Sequence, residues 1–244
     1  MNNELKKNYL LNVDSCDSYG EITLPAFFTF MQNISIEHAD ILGLHPYYLL
    51  KKNEFWVVTH IILKIIEPIY FTEEFELTTW PQKSAETLRN YRQYRFEKNN
   101  KVFALGKSQW AVLKNKNVIE LNQSSFPNNL IYPEREEFNQ ALAQFIDDFS
   151  DDDLVKEYKV SSTDIDINHH MNNVAYLRTL LSCFSVEQIH SVKFNSVEIH
   201  YGKSAYENEV LKIYIKNENK NLRFAIKKDN GKNAVIGKIE YTKR

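Results

Sequence analysis

Apolar and polar positions alternate along much of this chain and fall at helical spacing in two places. Val57, Thr59, Ile61, Leu63 and Ile65 alternate with more mixed neighbours, the period of a strand with one buried face. Segments 75–80, 87–96 and 102–113 read the same way, the last two joined by a polar turn at 98–101. Further along, Val197, Ile199 and Tyr201 alternate, and segments 210–216, 222–227 and 234–241 follow. Asn230-Gly231, between the last two, is a hairpin signal. Segment 24–42 is instead apolar on more than one face (Ala26, Phe27, Phe30, Met31, Ile34), the pattern of a helix buried on most sides. Pro25 suits its first turn, Thr23 or Leu24 its cap and Gly43 its end. A second helix is predicted over 173–184, capped by Asn172 or Asn173.

The two helices belong to a repeat. Setting Asp17 against Asp166 brings Gly20 to His169, Glu21 to His170, Ala26 to Ala175, Phe27 to Tyr176 and Phe28 to Leu177. Each half then reads as a short strand, a polar loop carrying an aspartate, an apolar helix and about four antiparallel strands. A helix against a curved antiparallel sheet is an α+β layer solution, used here twice, over 1–132 and 154–244. Between them, 133–153 is acidic, ends in Ser150, Asp151, Asp152 and Asp153, and has mild amphipathic character over 138–149. It is expected to be a linker, helical in part.

Length and composition narrow the class. The 244 residues allow one large domain or two small ones. With 43% apolar and 25% charged residues, the composition is that of a soluble globular protein. A net charge of −2 argues against a nucleic-acid surface built on bulk positive charge. No apolar run approaches the ~18 residues of a membrane span, and the polar N-terminus lacks a signal peptide's apolar segment. Cys16 and Cys183 form no CxxC pattern and are expected to be free thiols in the cytoplasm. The six glycines build no GxGxxG, GxxxxGK[ST] or GxSxG motif, which removes the strongest signals for nucleotide binding and for a serine hydrolase.

The candidate chemistry sits before the second helix, in Asp164-Ile-Asp166-Ile-Asn168-His169-His170-Met-Asn172-Asn173. If this stretch is extended, Asp166, Asn168 and His170 alternate onto one side. The helix that follows offers free N–H groups and the positive end of its dipole. A carboxylate, an amide, an imidazole and such donors suit acyl transfer to water. His170 would deprotonate the water or polarise the carbonyl, Asp166 would orient His170 or act as base, and Asn168 would help hold the oxyanion. The competing reading makes the Asp and Asn residues turn formers and caps, with the two histidines exposed. No His/Cys cluster at ligand spacing supports a metal site. The first-half loop has Asp14, Asp17, Gly20 and Glu21 but no histidine, so the second half is the catalytic candidate.

The repeat and this loop together resemble the acyl-ACP thioesterase family of plants and bacteria. The resemblance rests on residues 17–25, Met31-Gln-Asn, 37–44, Phe55-Trp-Val-Val, Thr79-Trp-Pro81 and, most specifically, 164–176. It implies a double hotdog fold, an acyl-binding N-terminal half and a catalytic C-terminal half. It also implies hydrolysis of a fatty acyl thioester on acyl carrier protein, with no cofactor and no nucleic-acid or membrane partner. Self-association into a homodimer is left open. The family's Asp-x-Asn-x-His falls on Asp166, Asn168 and His170. The catalytic glutamate that the family places on the following strand, a few residues after a motif resembling Ile199-His-Tyr201, is here Ser204, which would still serve to hold a water. Glu198 shares its strand parity but lies about 20 Å away along an extended chain, and Glu207 or Glu209 would need a shift of register. The loop serves acyl-CoA equally well, and the change at Ser204 also fits a binder without turnover. His38 is expected to be a hydrogen-bonded core residue. Trp56, Trp80 and Trp110 are expected in the core, with Trp56 a candidate to line the acyl tunnel. Arg89, Arg92, Arg95 and Lys98 are expected on a solvated strand face, or else on a surface meeting the acidic carrier.

Overall fold

The structure, a computed structural model, describes residues 3–84, 86–127 and 130–244. The alternating segments form strands. In the first half they are β1 (Leu5–Leu10), β2 (Glu54–Ile65), β3 (Glu74–Gln82), β4 (Asn90–Lys98), β5 (Lys101–Lys114) and the short β6 (Asn117–Ile119). The second half contributes β7 (Leu154–Lys159), β8 (Val192–Tyr201), β9 (Val210–Glu218), β10 (Asn221–Lys228) and β11 (Asn233–Lys243). All pair antiparallel in one sheet, ordered β1-β3-β4-β5-β2-β8-β11-β10-β9-β7, with β6 on β5. Read outwards from the centre, the two halves have the same order. They join through β2 and β8, where His60 stands opposite His200, Ile61 opposite Ile199 and Leu63 opposite Val197.

One helix per half lies on the inner face. α1 (Leu24–Ile41) starts at Thr23, whose hydroxyl accepts the Ala26 N–H, and has Pro25 in its first turn. It gives way at Gly43, which adopts φ +80°, a conformation that costs glycine nothing. Phe27, Phe28, Met31 and Ile34 are fully buried, as the apolar pattern requires. After α1 comes a short helix, α2 (Pro46–Lys51). In the second half α3 (Asn173–Leu181) is capped by Asn172, whose side chain accepts the Val174 N–H. It stops before the predicted Phe184. Ser185 caps a separate helix, α4 (Val186–His190), exchanging hydrogen bonds with Gln188. The two short helices fall below any periodicity window; their caps, His45-Pro46 and Ser185…Gln188, are the only local signs of them.

The connecting segment ends in a 3₁₀ turn over Asp151–Asp153, but its amphipathic stretch 138–149 is not helical, which corrects the expectation there. Residues 130–150 form neither helix nor strand and run as a strap over the outer face of the sheet. Side chains of the sheet take its backbone groups. Gln93 accepts the N–H groups of Glu137 and Phe138, and Glu198 accepts that of Ala143 at 2.6 Å. A helix would need those donors itself. Phe145 packs on His60 and Phe149 on Tyr214. Asp147 pairs with Lys227, and Asp148 with Arg223.

The basic set on β4 is likewise corrected, because it is not a shared solvated face. Arg92 points inward and is buried, Arg95 is held by Glu97 and Glu137, and Lys98 by Glu73. Strand alternation sends Arg92 and Arg95 to opposite faces of the sheet. Among the described residues, no helix is long and apolar enough to cross a membrane.

Candidate active site

The predicted cluster is assembled by a turn, which corrects the expectation of strand alternation. The Asp166 N–H donates to the His170 carbonyl at 3.0 Å, and the His169 N–H to the Asp166 carbonyl at 3.0 Å. Asp166 Oδ1 accepts the Asn168 N–H at 2.8 Å, an Asx turn that competes successfully with extension. His169 takes φ +62° to close it. The turn brings His170 Nδ1 to 3.9 Å from Asp166 Oδ1, beyond a direct hydrogen bond, while Nδ1 donates to the Met171 carbonyl at 3.4 Å. Both side chains are about a fifth to a quarter exposed, 18% for Asp166 and 26% for His170. Asn168 and His169 are exposed.

Two buried phenols brace this turn. The Tyr176 hydroxyl on α3 accepts the Ala205 N–H at 3.0 Å, and Ala205 accepts the Met171 N–H at 2.8 Å. The Tyr201 hydroxyl donates to the Asn173 carbonyl at 3.2 Å. Burial pushes the Tyr176 pKa up to about 12 and raises that of Tyr201 as well. Both therefore stay neutral at physiological pH and act as fixed hydrogen-bonding posts.

Ser204 lies just beyond the end of β8, in the crossing to β9. The Gly202 and Lys203 N–H groups bond to the carbonyls of Ala234 and Asn233, which turns the chain off the strand. A Cβ at Gly202 would stand 2.4 Å from the Asn233 oxygen, so only glycine fits. Ser204 is exposed, and its carbonyl accepts Lys228 Nζ. Glu209 is engaged by the Tyr206 N–H and Lys228. Glu198 is on the outer face, 3.0 Å from His60. Glu198 is therefore not placed with the loop, and Glu207 is exposed.

His38 is fully buried, with Nδ1 at 2.9 Å from an Arg92 nitrogen. A guanidinium only donates, so Nδ1 is the acceptor and His38 sits in the core network. Trp80 is buried on the outer face under Arg135. Trp56 packs on Phe126 in a separate small cluster, which corrects its assignment to a tunnel. Trp110 lines the apolar space instead. That space, about 20 Å³, is lined by Asn173 and Val174 on α3 and by Phe28, Met31, Val58, Tyr94 and Trp110 of the first half. Nothing local distinguishes Trp110 from Trp56; the sheet pairing decides which indole faces α1. Among the described residues, no group of His, Cys, Asp or Glu is arranged to hold a metal ion.

Comparison with known proteins agrees with this architecture. Two family models match, the acyl-ACP thioesterase N-terminal domain over residues 2–120 and the acyl-ACP thioesterase C-terminal domain over residues 148–243. No curated protein matches the sequence. Among solved structures, an acyl-ACP thioesterase from Bacteroides thetaiotaomicron is 20% identical, with a TM-score of 0.88 over 99% of this chain and 98% of that one. The 12:0-ACP thioesterase from Umbellularia californica is 12% identical, with a TM-score of 0.82 over 100% and 99%. At these identities the structures speak for the shared double hotdog fold, and the two matched models cover both halves: this chain belongs to the acyl-ACP thioesterase family.

Proposed function

We propose that Asp166, Asn168 and His170 carry out the acyl-ACP hydrolysis that belongs to this family. The observation that supports the assignment is a junction. The polar loop that brings a histidine near a carboxylate ends at the helix whose first residues line the apolar space. The acyl chain lies in the first half, and its thioester carbon stands at the start of α3. His170, oriented by Asp166, takes a proton from water as the water oxygen attacks that carbon. Asn168 and N–H groups at the α3 N-terminus hold the oxyanion, where a single donor can be worth ~10²-fold or more. The tetrahedral species collapses with cleavage of the C–S bond. The pantetheine thiolate leaves with the proton that His170 carried, and the fatty acid is released. Ser204, in the crossing whose Ala205 bonds to Met171, would hold a water at the position where the resemblance implies a glutamate.

Thiol release from acyl-ACP and acyl-CoA tests this reading. Wild type turns over acyl-ACP, and Asp166→Asn and His170→Ala each fall by at least ~10²-fold, the scale of a lost general base. Faster turnover of acyl-CoA would change the substrate and keep the residues. Binding of acyl-ACP without turnover would establish a binding module, the reading that the Ser204 substitution favours.

A further inference from the structure

Most backbone donors at the start of α3 already have partners. The Met171 N–H goes to the Ala205 carbonyl and the Asn172 N–H to the Asp164 carbonyl. The Val174 N–H is taken by the Asn172 side chain and the Ala175 N–H by the Asn172 carbonyl. That leaves the Asn173 N–H, which has no partner among the described residues. A second donor is offered from the other half. Gln32 on α1 lines the same space of about 20 Å³ as Asn173, a volume that holds about one water. Its side chain is half-buried and carries two N–H donors, yet among the described residues it has no hydrogen-bond partner. The other polar groups that the first half brings to this space are committed: the Tyr94 hydroxyl and the Trp110 indole both bond to Ser108.

The repeat shows that these amides are not a packing requirement of the fold. With Asp17 set against Asp166, Gln32 falls on Leu181 and Asn173 on Leu24. Both leucines pack in the main core. The small space beside the first-half loop, about 10 Å³, is lined by Leu24 and by Glu21, which stands at the His170 position. Amides replace leucines only at the end that carries His170 and Asp166. An amide left unpaired in an apolar wall forgoes stability that a leucine would supply. We propose that Gln32 Nε2 donates to the thioester carbonyl oxygen, so that the oxyanion site is built from both halves. As water adds to the thioester carbon, the carbonyl π electrons move onto its oxygen, which accepts the Gln32 side-chain N–H and the Asn173 N–H. The pair returns to the carbon as the C–S bond breaks. The inference rests on the proposed function, which brings the thioester to the start of α3.

The test uses Gln32→Leu and Gln32→Glu with whichever of octanoyl-, dodecanoyl- and palmitoyl-ACP wild type cleaves fastest. Gln32→Leu installs the residue of the matched position, a good helix former. Loss of one oxyanion donor lowers kcat by about 10²-fold and leaves KM within about threefold, because the bond reaches full strength only in the transition state. Gln32→Glu keeps the shape and sets a carboxylate against the oxyanion. Its kcat, divided by that of wild type at the same pH, falls at least about tenfold between about pH 5 and about pH 8 as the new carboxyl ionises. That trend does not depend on how much of the variant is folded, and a residue that only packs would not produce it. A kcat within about threefold of wild type in Gln32→Leu, a loss carried by KM alone, or a constant ratio in Gln32→Glu overturns the inference. The proposed function survives that result if Asp166→Asn and His170→Ala are inactive in the same assay. If wild type cleaves no thioester, the proposed function fails. The inference is then read from Tm shifts with octanoyl, dodecanoyl and palmitoyl pantetheine amides, whose carbonyl accepts the same bonds. A shift lost in Gln32→Leu supports it, and an equal shift, or none in wild type, overturns it.

Discussion

The loops at Asp17 and Asp166 are built on one backbone and differ in what they present. In the first, the Asp17 N–H bonds to the Glu21 carbonyl and the Gly20 N–H to the Asp17 carbonyl. In the second, Asp166, His170 and His169 repeat both bonds. Ile22 then donates to Ile69 as Met171 does to Ala205. Tyr70 donates to the Glu73 carboxylate as Tyr206 does to that of Glu209. The aspartate is therefore a turn former in both halves, and that role alone does not mark a catalyst. The differences lie in the side chains around it. Asp17 Oδ1 accepts two N–H groups, from Tyr19 and Glu21, whereas Asp166 Oδ1 takes the Asn168 N–H and faces His170. Glu21, at the His170 position, is tied to Arg244. Glycine closes the first turn at φ +78°, and His169 closes the second at φ +62°.

The largest expected effect breaks the symmetry outright. Asp166→Asn keeps the acceptor that forms the turn and removes the charge, and we expect kcat/KM for acyl-ACP to fall by at least ~10²-fold. Asp17→Asn and Glu21→Gln, the matched changes in the first loop, should stay within about threefold. Equal losses in both loops would mean that the aspartates serve folding alone.

The next contrast lies on the helices, where Tyr176 occupies the place of Phe27. Tyr176→Phe leaves the buried Ala205 N–H without its acceptor, a change that costs about 1–3 kcal/mol. The expected readout is a lower urea midpoint together with reduced turnover, since Ala205 also anchors Met171. An unchanged midpoint would show that the brace is not needed.

A third contrast is electrostatic. Burial tends to raise the Glu73 pKa, but hydrogen bonds from Lys98 and the Tyr70 N–H outweigh it and hold the group below its ordinary 4.5. A depressed folded pKa stabilises the fold above the unfolded value, and this contribution disappears as pH falls through the folded one. The stability gap between wild type and Glu73→Gln should thus be full near neutrality and close below about pH 4.5. Thermal melts across pH 3–7 measure it, and a gap that does not change with pH would contradict it.

The smallest effect concerns the strained position. His169→Gly relieves a left-handed conformation that disfavours side chains and should stabilise the fold by about 0.5–1 kcal/mol with activity kept. A stabilised but inactive variant would give His169 a chemical part that Asp166 and His170 do not cover.

Much of this molecule was legible because its signals are local. Strand alternation at 57–65 and 197–201, the burial of Phe27, Met31 and Ile34, the caps at Thr23 and Asn172 and the density of polar groups at 164–170 each depend on near neighbours in the chain. What the sequence alone determined was therefore the repeat, the α+β halves and which loop is the candidate for the chemistry. The tertiary structure decided the rest. The strap over 130–150 stays extended because Gln93 and Glu198, remote in sequence, take its N–H groups. Arg92 turns inward because register places it against His38 and Thr79. Trp110 rather than Trp56 meets the apolar space because β5 sets it between Asn90 on β4 and Val58 on β2. Periodicity says that a residue faces a core; only the pairing of distant strands says which residues share that core, because the hydrogen bonds that fix the pairing join positions far apart along the chain.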